Sequence, residues 1–144
     1  MAEYRRGSHT VYNLQYHFVW VTKYRYKVLR GEVAERLREL VRQTCVSRDI
    51  KILKGHVSVD HVHLLVSCPP VLSPAKTIQY IQGRTSRMLQ DEYSHIKKRF
   101  WGHHMWARGY FCSTTGEITT EQIQAYIEGH MEEDPSERFT IDSP

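Results

Sequence analysis

Long apolar runs are missing from this 144-residue chain: no stretch of 18 apolar residues occurs, which excludes an ordinary membrane-spanning helix. The opening MAEYRRGSHT has neither the apolar core of a secretory signal nor a transit pattern. Both absences predict a cytoplasmic protein with no membrane partner. Cysteine is scarce. Cys45, Cys68 and Cys112 are odd in number, widely scattered and form no CxxC, so they read as reduced packing residues and not as a disulfide or zinc site. No internal repeat, low-complexity tract or linker interrupts the chain, and its length suits one domain over residues 1–131. Acidic charge is in the minority except at the end, where residues 132–144 read as an acidic tail. Lys and Arg number 20 against 16 acids, a net of +4. The last fourteen residues hold five acids and one Arg, so removing their −4 leaves +8 on the first 130. That balance favours an anionic partner, and nucleic acid is the commonest large one, although a merely basic surface gives the same count.

What the sequence does have is strand and helix patterning in alternation. Over 11–21, Tyr12, Leu14, Tyr16, Phe18 and Trp20 fall on one face and Asn13, Gln15 and His17 on the other, the pattern of a half-buried strand. Val33, Leu37, Leu40 and Val41 recur at helical spacing over 32–44. Two strand-like runs, 50–57 and 61–67, are separated by a short turn and predict a hairpin. Ser73 followed by Pro74 starts a helix that reaches about Tyr93, with Ile78, Ile81, Met88 and Leu89 inward. A further strand is predicted over 104–114 and a last helix over 119–131. The order βαββαβα belongs to the α+β class, an antiparallel sheet with helices packed on it.

Two constellations carry chemistry. In the run HVHLLVS at 61–67, strand alternation sends His61 and His63 to one face, with Cα atoms roughly 6.6 Å apart, while Val62, Leu64 and Val66 face a core. Two imidazoles aimed together begin a metal site; two hydrogen-bonded histidines on a half-buried strand give the same triplet. The second is TTEQIQAYIEGHM at 119–131. Thr119 and Gln122 form a capping box, Ile123 and Ile127 make the buried stripe, and Gln122, Tyr126 and His130 stack along the adjoining face. Tyr126 is thus flanked by potential ligands. On such a helix a tyrosine also serves simply as packing.

Five segments carry a resemblance: VWVTKYRYKVL at 19–29, DHVHLLVSCPP at 60–70, IQGRTSRML at 81–89, GYFCSTTG at 109–116 and QIQAYIEGH at 122–130. In this order they resemble the single-tyrosine HUH transposases of insertion sequences that move as single-stranded DNA. The resemblance implies a ferredoxin-like or RRM-like sheet, His61 and His63 as metal ligands, and Tyr126 as the nucleophile. Many relatives have Gln as third ligand where this chain has His130. An imidazole there leans away from magnesium and toward manganese or softer metals. The implied cofactor is a divalent metal, Mg2+ or Mn2+.

The implied chemistry is attack by Tyr126 on a backbone phosphate of single-stranded DNA, leaving a 5′-phosphotyrosine and a free 3′-hydroxyl. One tyrosine holds one DNA end, so a homodimer is expected; the resemblance implies that the tyrosine helix acts in trans on the partner subunit, the 116–119 segment allowing that placement, whereas a short loop there would keep the helix in cis. DNA with hairpin ends is the expected partner. Lys23, Arg25 and Lys27, interleaved with Tyr24 and Tyr26, are the first candidates for DNA contact. Arg84 with Arg87, the Lys97, Lys98 and Arg99 group beside Phe100 and Trp101, and Arg108 near Tyr110 are others. Each cluster alone also suits a solvated surface. The alternative functions are a replication or plasmid-transfer nuclease of the HUH type, and a silent single-strand-binding regulator.

Overall fold

In the computed structural model, residues 4–114 and 119–129 are described. The strand expected over 11–21 is broken at Asn13 and Leu14. A short hairpin of β1 (Arg5–Arg6) and β2 (Val11–Tyr12) precedes the main strand β3 (Gln15–Val21). Helix α1 (Gly31–Ser47) leads to the hairpin β4 (Lys51–Val57) and β5 (His61–Ser67). Then come α2 (Pro74–Glu92), a short α3 (Ser94–Phe100), β6 (Phe111–Ser113) and α4 (Thr120–Glu128).

The four main strands lie in the order β4-β5-β3-β6 and every pair is antiparallel. Without the N-terminal hairpin and α3, the path is the expected βαββαβα, with the two helical connections, through α1 and α2, each crossing over a strand, the ferredoxin-like arrangement. Two departures have local causes. The strand expected over 104–114 survives only as β6, because Gly109 takes a left-handed φ of 90° and ends the extended run; upstream, Trp106 makes a single bridge to Thr22. Helix α3 is too short for its apolar period to stand out beside a run of cations, yet it buries Ile96 and Phe100.

Helices α1 and α2 cover one face of the sheet. Phe18 and Trp20 of β3 and Val62, Leu64 and Val66 of β5 point into that layer and meet Leu37, Leu40, Ile78, Ile81 and Leu89. Trp20 packs edge-on against Trp106, ring centroids 5.9 Å apart. Fully burying each such side chain contributes about 1.5–3 kcal/mol, so this layer dominates the stability. Ser73 caps α2 as expected, its hydroxyl accepting from the Lys76 N–H at 3.1 Å after which Pro74 begins the helix. The opposite face has a much smaller apolar cluster, Val19, Val21, Ala107, Ile123 and Ile127, with Phe111 and Tyr126 against it. Helix α4 rests there.

Candidate active site

The second face of the sheet is where the sequence motifs meet. In register, His63 lies opposite Val19 and His61 opposite Val21, so both histidines share the face on which those valines support α4. Helix α4 starts as its sequence dictates: the Gln122 N–H donates to the Thr119 hydroxyl at 3.1 Å, and the Thr119 N–H to the Gln122 side-chain oxygen at 2.8 Å. The Gln122 side-chain oxygen is therefore engaged by the cap. Tyr126 packs edge-on against Phe111, centroids 6.1 Å apart, with its hydroxyl oxygen shielded from solvent. In this single chain α4 rests on its own sheet. His130, the 116–118 segment and the acidic tail lie outside the described residues.

The two histidines are held differently. His61 is buried, and its Nδ1 lies 2.9 Å from Asp60 Oδ1. Burial alone would raise the Asp60 carboxyl, but the hydrogen bond with His61 and the charge of Arg25 hold it below its ordinary value. An ionised carboxylate only accepts, so Nδ1 carries the proton in this bond. The Nε2 of His61 is buried and has no hydrogen-bond partner among the described residues. His63 lies half-buried, with Nε2 3.3 Å from Nδ1 of His17 on β3. Burial first, then the neighbouring His17, His56 and Lys54, push its pKa down to about 4, which leaves a neutral imidazole at pH 7.

These features suit a divalent cation. One neutral imidazole and one buried ring nitrogen without a hydrogen-bond partner among the described residues face the same side of the sheet, and both are donor atoms of the kind a divalent cation takes. Among the described residues no group of three or more His, Cys, Asp or Glu side chains is arranged to hold a metal, so the pair needs a further ligand from elsewhere.

The expected DNA contacts separate into four kinds. Arg25 turns inward: it is buried and its Nη2 donates to Asp60 Oδ2 at 2.9 Å, so it offers nothing to a DNA surface. The cause is local, since Tyr24 and Arg25 both take left-handed φ values of 58° and 55°, which ends the alternation that KYRYK suggests. Arg84 reaches sideways to α1, donating to the Gln43 side-chain oxygen at 3.1 Å and the Thr44 hydroxyl at 3.3 Å. Lys23 and Arg108 line an open depression of about 450 Å³ with Gln82, His104 and Trp106, and Arg87 lines an adjoining one of about 410 Å³ with Lys97 and His103. The two share Gly83 and His104, making one basic trough along α2. Lys27 is half-buried after the Lys23–Arg25 turn and lines neither depression. Sequence reasoning missed His17 and Asp60. Strand parity put His17 on the open face, but its neighbour His63 follows from the β3–β5 register, which sequence does not print.

Comparison with known proteins agrees with this fold. The family model described as "Transposase IS200 like" matches residues 10–130. The chain is 34% identical to the ISDra2 transposase TnpA of Deinococcus radiodurans over 132 residues, covering 92% of this chain and 94% of that one. It is 32% identical to the transposase for insertion sequence element IS200 of Salmonella typhimurium, over 100% of this chain and 95% of that one. A crystal structure from Deinococcus radiodurans, of a protein described as a transposase, superposes with a TM-score of 0.80 at 33% identity, covering 88% of this chain and 97% of that one. A REP-associated tyrosine transposase bound to a REP hairpin shares the fold, with a TM-score of 0.55 at 15% identity over 89% of this chain and 69% of that one. With a family match spanning most of its length and relatives above 30% identity over nearly all of it, the chain belongs to the IS200-like transposases.

Proposed function

We propose that this transposase cuts and rejoins single-stranded DNA through Tyr126. The observation that carries the reading is the docking of the tyrosine helix on the same sheet face as His61 and His63. The Tyr126 oxygen attacks a backbone phosphorus, the 3′-oxygen leaves with its electron pair and takes up a proton, and the strand's 5′ end remains on Tyr126 as a phosphodiester. One phosphodiester replaces another, so a 3′-hydroxyl of a second strand reverses the attack without an external energy source. A tyrosine phenol has an ordinary pKa of about 10, so the reaction needs a positive field near the phosphate. A divalent cation, Mg2+ or Mn2+, held by His61, His63 and His130 would supply that field at a nonbridging oxygen and at the leaving oxygen. Lys23, Arg87 and Arg108 along the trough are placed to hold phosphates of the strand, and the hairpin held by the structural neighbour supports a folded DNA end as substrate.

The test uses 5′- and 3′-labelled single-stranded oligonucleotides from the flanks of the gene, with Mg2+ or Mn2+. A denaturant-resistant adduct on the 5′ end of the 3′ fragment is expected from the wild type. Tyr126→Phe should abolish it while keeping DNA binding; an adduct persisting in Tyr126→Phe would remove Tyr126 as nucleophile. Excision involves two DNA ends and each chain has one such tyrosine, so the working unit in this reading is a homodimer; α4 rests on its own sheet in the single chain, and the family resemblance implies that it acts in trans in the dimer. Mixing inactive Tyr126→Phe with inactive His61→Ala should restore cleavage if the tyrosine and the histidines come from different chains; no recovery in mixed dimers would place the tyrosine in cis.

A further inference from the structure

The residue pair Arg25 and Asp60 is spent on neither DNA nor the sheet's apolar layer, and its cost is plain. Both side chains are buried, at 4% exposure each, and ion pairing at 2.9 Å only offsets the desolvation of two charges. The chain also bends to make it: Tyr24 and Arg25 sit consecutively in the left-handed region, which is unfavourable for a non-glycine residue. The turn is fastened on both sides. The Thr22 N–H donates to the Asp60 carbonyl at 2.9 Å, the Lys23 N–H to the Met105 carbonyl at 2.7 Å, and the Thr22 hydroxyl to the Tyr26 carbonyl at 2.7 Å. Such strain, fixed by its surroundings, accumulates where a side chain must be aimed.

What is aimed is the Asp60 carboxylate. Its Oδ2 accepts from Arg25 and its Oδ1 faces His61 Nδ1 at 2.9 Å, so the carboxylate lies in the bridge between guanidinium and imidazole. We propose that Arg25 and Asp60 are positioning residues that lock His61 in the Nδ1–H tautomer, presenting a bare Nε2 lone pair to the divalent cation. The orphaned, buried Nε2 is what that tautomer leaves behind. A ring held by a carboxylate on one nitrogen is fixed in orientation and made a better donor on the other. His63 is held differently: its Nε2 meets the imidazole of His17 at 3.3 Å, so the two ligands of the pair are tuned separately. This inference rests on the proposed role of His61 as a metal ligand.

The decisive variant is Asp60→Asn, which keeps the size of the side chain. Its oxygen still accepts from Arg25, so its amide NH2 is presented to His61 and forces the proton to Nε2. Two readouts apply to the full-length protein at pH 7.5. Mn2+ titration calorimetry should show the dissociation constant rising about tenfold or more in Asp60→Asn. Long-range proton–nitrogen NMR of nitrogen-15-histidine-labelled, metal-free protein should show His61 protonated at Nδ1 in the wild type and at Nε2 in the variant. Equal Mn2+ affinity in both proteins, or a wild-type His61 protonated at Nε2, overturns the proposal. If Asp60→Asn fails to fold by circular dichroism, the wild-type tautomer alone decides. If the wild type shows the Nδ1–H form but binds no Mn2+, the positioning stands and the metal role of His61 fails.

Discussion

The two faces of the sheet are built from the same strands and do opposite work. On β3, Phe18 and Trp20 enter the helical layer while His17, Val19 and Val21 face α4; on β5, Val62, Leu64 and Val66 go one way and His61 and His63 the other. The helical face is a continuous apolar layer closed by two long helices. On the other face, among the described residues, Val19, Val21 and Ala107 lie buried against Ile123 and Ile127 of a nine-residue helix, and His17, His61 and His63 share that face. A strand period of two lets one segment of seven residues serve stability and the proposed chemistry at once, and a one-residue slip would exchange them.

That contrast is open to direct attack. The largest stability effect should come from Trp20→Ala, which empties the helical layer and should cost about 3–5 kcal/mol in urea unfolding. Ile127→Ala removes an equally buried side chain on the other face, but α4 is able to detach without opening the helical layer. Its unfolding free energy should fall by no more than about 2 kcal/mol, with fast amide exchange confined to α4. Equal losses in the two variants would show that both faces unfold as one unit. Smaller again is the effect of the titratable groups. Burial, and then the neighbouring Cys68, push the Cys45 thiol on the helical side up to about 12 from 9.0. A folded-state value above the unfolded one adds stability that is fully present below pH 9 and disappears as pH rises toward 12. Cys45→Ala should therefore show a shallower alkaline fall in Tm than the wild type, and native Cys45 should resist iodoacetamide at pH 8. Rapid labelling of Cys45 would mean that the helical layer opens readily.

Much of this was readable from residues in isolation. Alternation alone put His61 and His63 on the face away from Val62 and Leu64, and both helix starts, Ser73 with Pro74 and Thr119 with Gln122, announce themselves because a cap is a contact between residues three apart. Register is different in kind. That His63 faces Val19, or that His17 meets His63, depends on pairing across 44 and 46 residues and leaves no local trace. Arg25 shows the limit most clearly. Between two tyrosines and two lysines it reads as one more surface cation, yet two left-handed residues turn it toward Asp60, 35 positions away. Burial of a charge is decided by its partner, and the partner is a tertiary fact.

The central position of β3 also sets the order in which a growing chain becomes a transposase. Val19 must wait for Phe111 to emerge before β6 closes that side of the sheet, whereas the β4–β5 hairpin forms from neighbours. A ribosome-bound chain that has just released His63 owns both histidines with neither β6 nor the tyrosine helix beside them. A truncation between His63 and Phe111 leaves it in that condition, so a shortened product keeps two imidazoles of the proposed site but never acquires Tyr126.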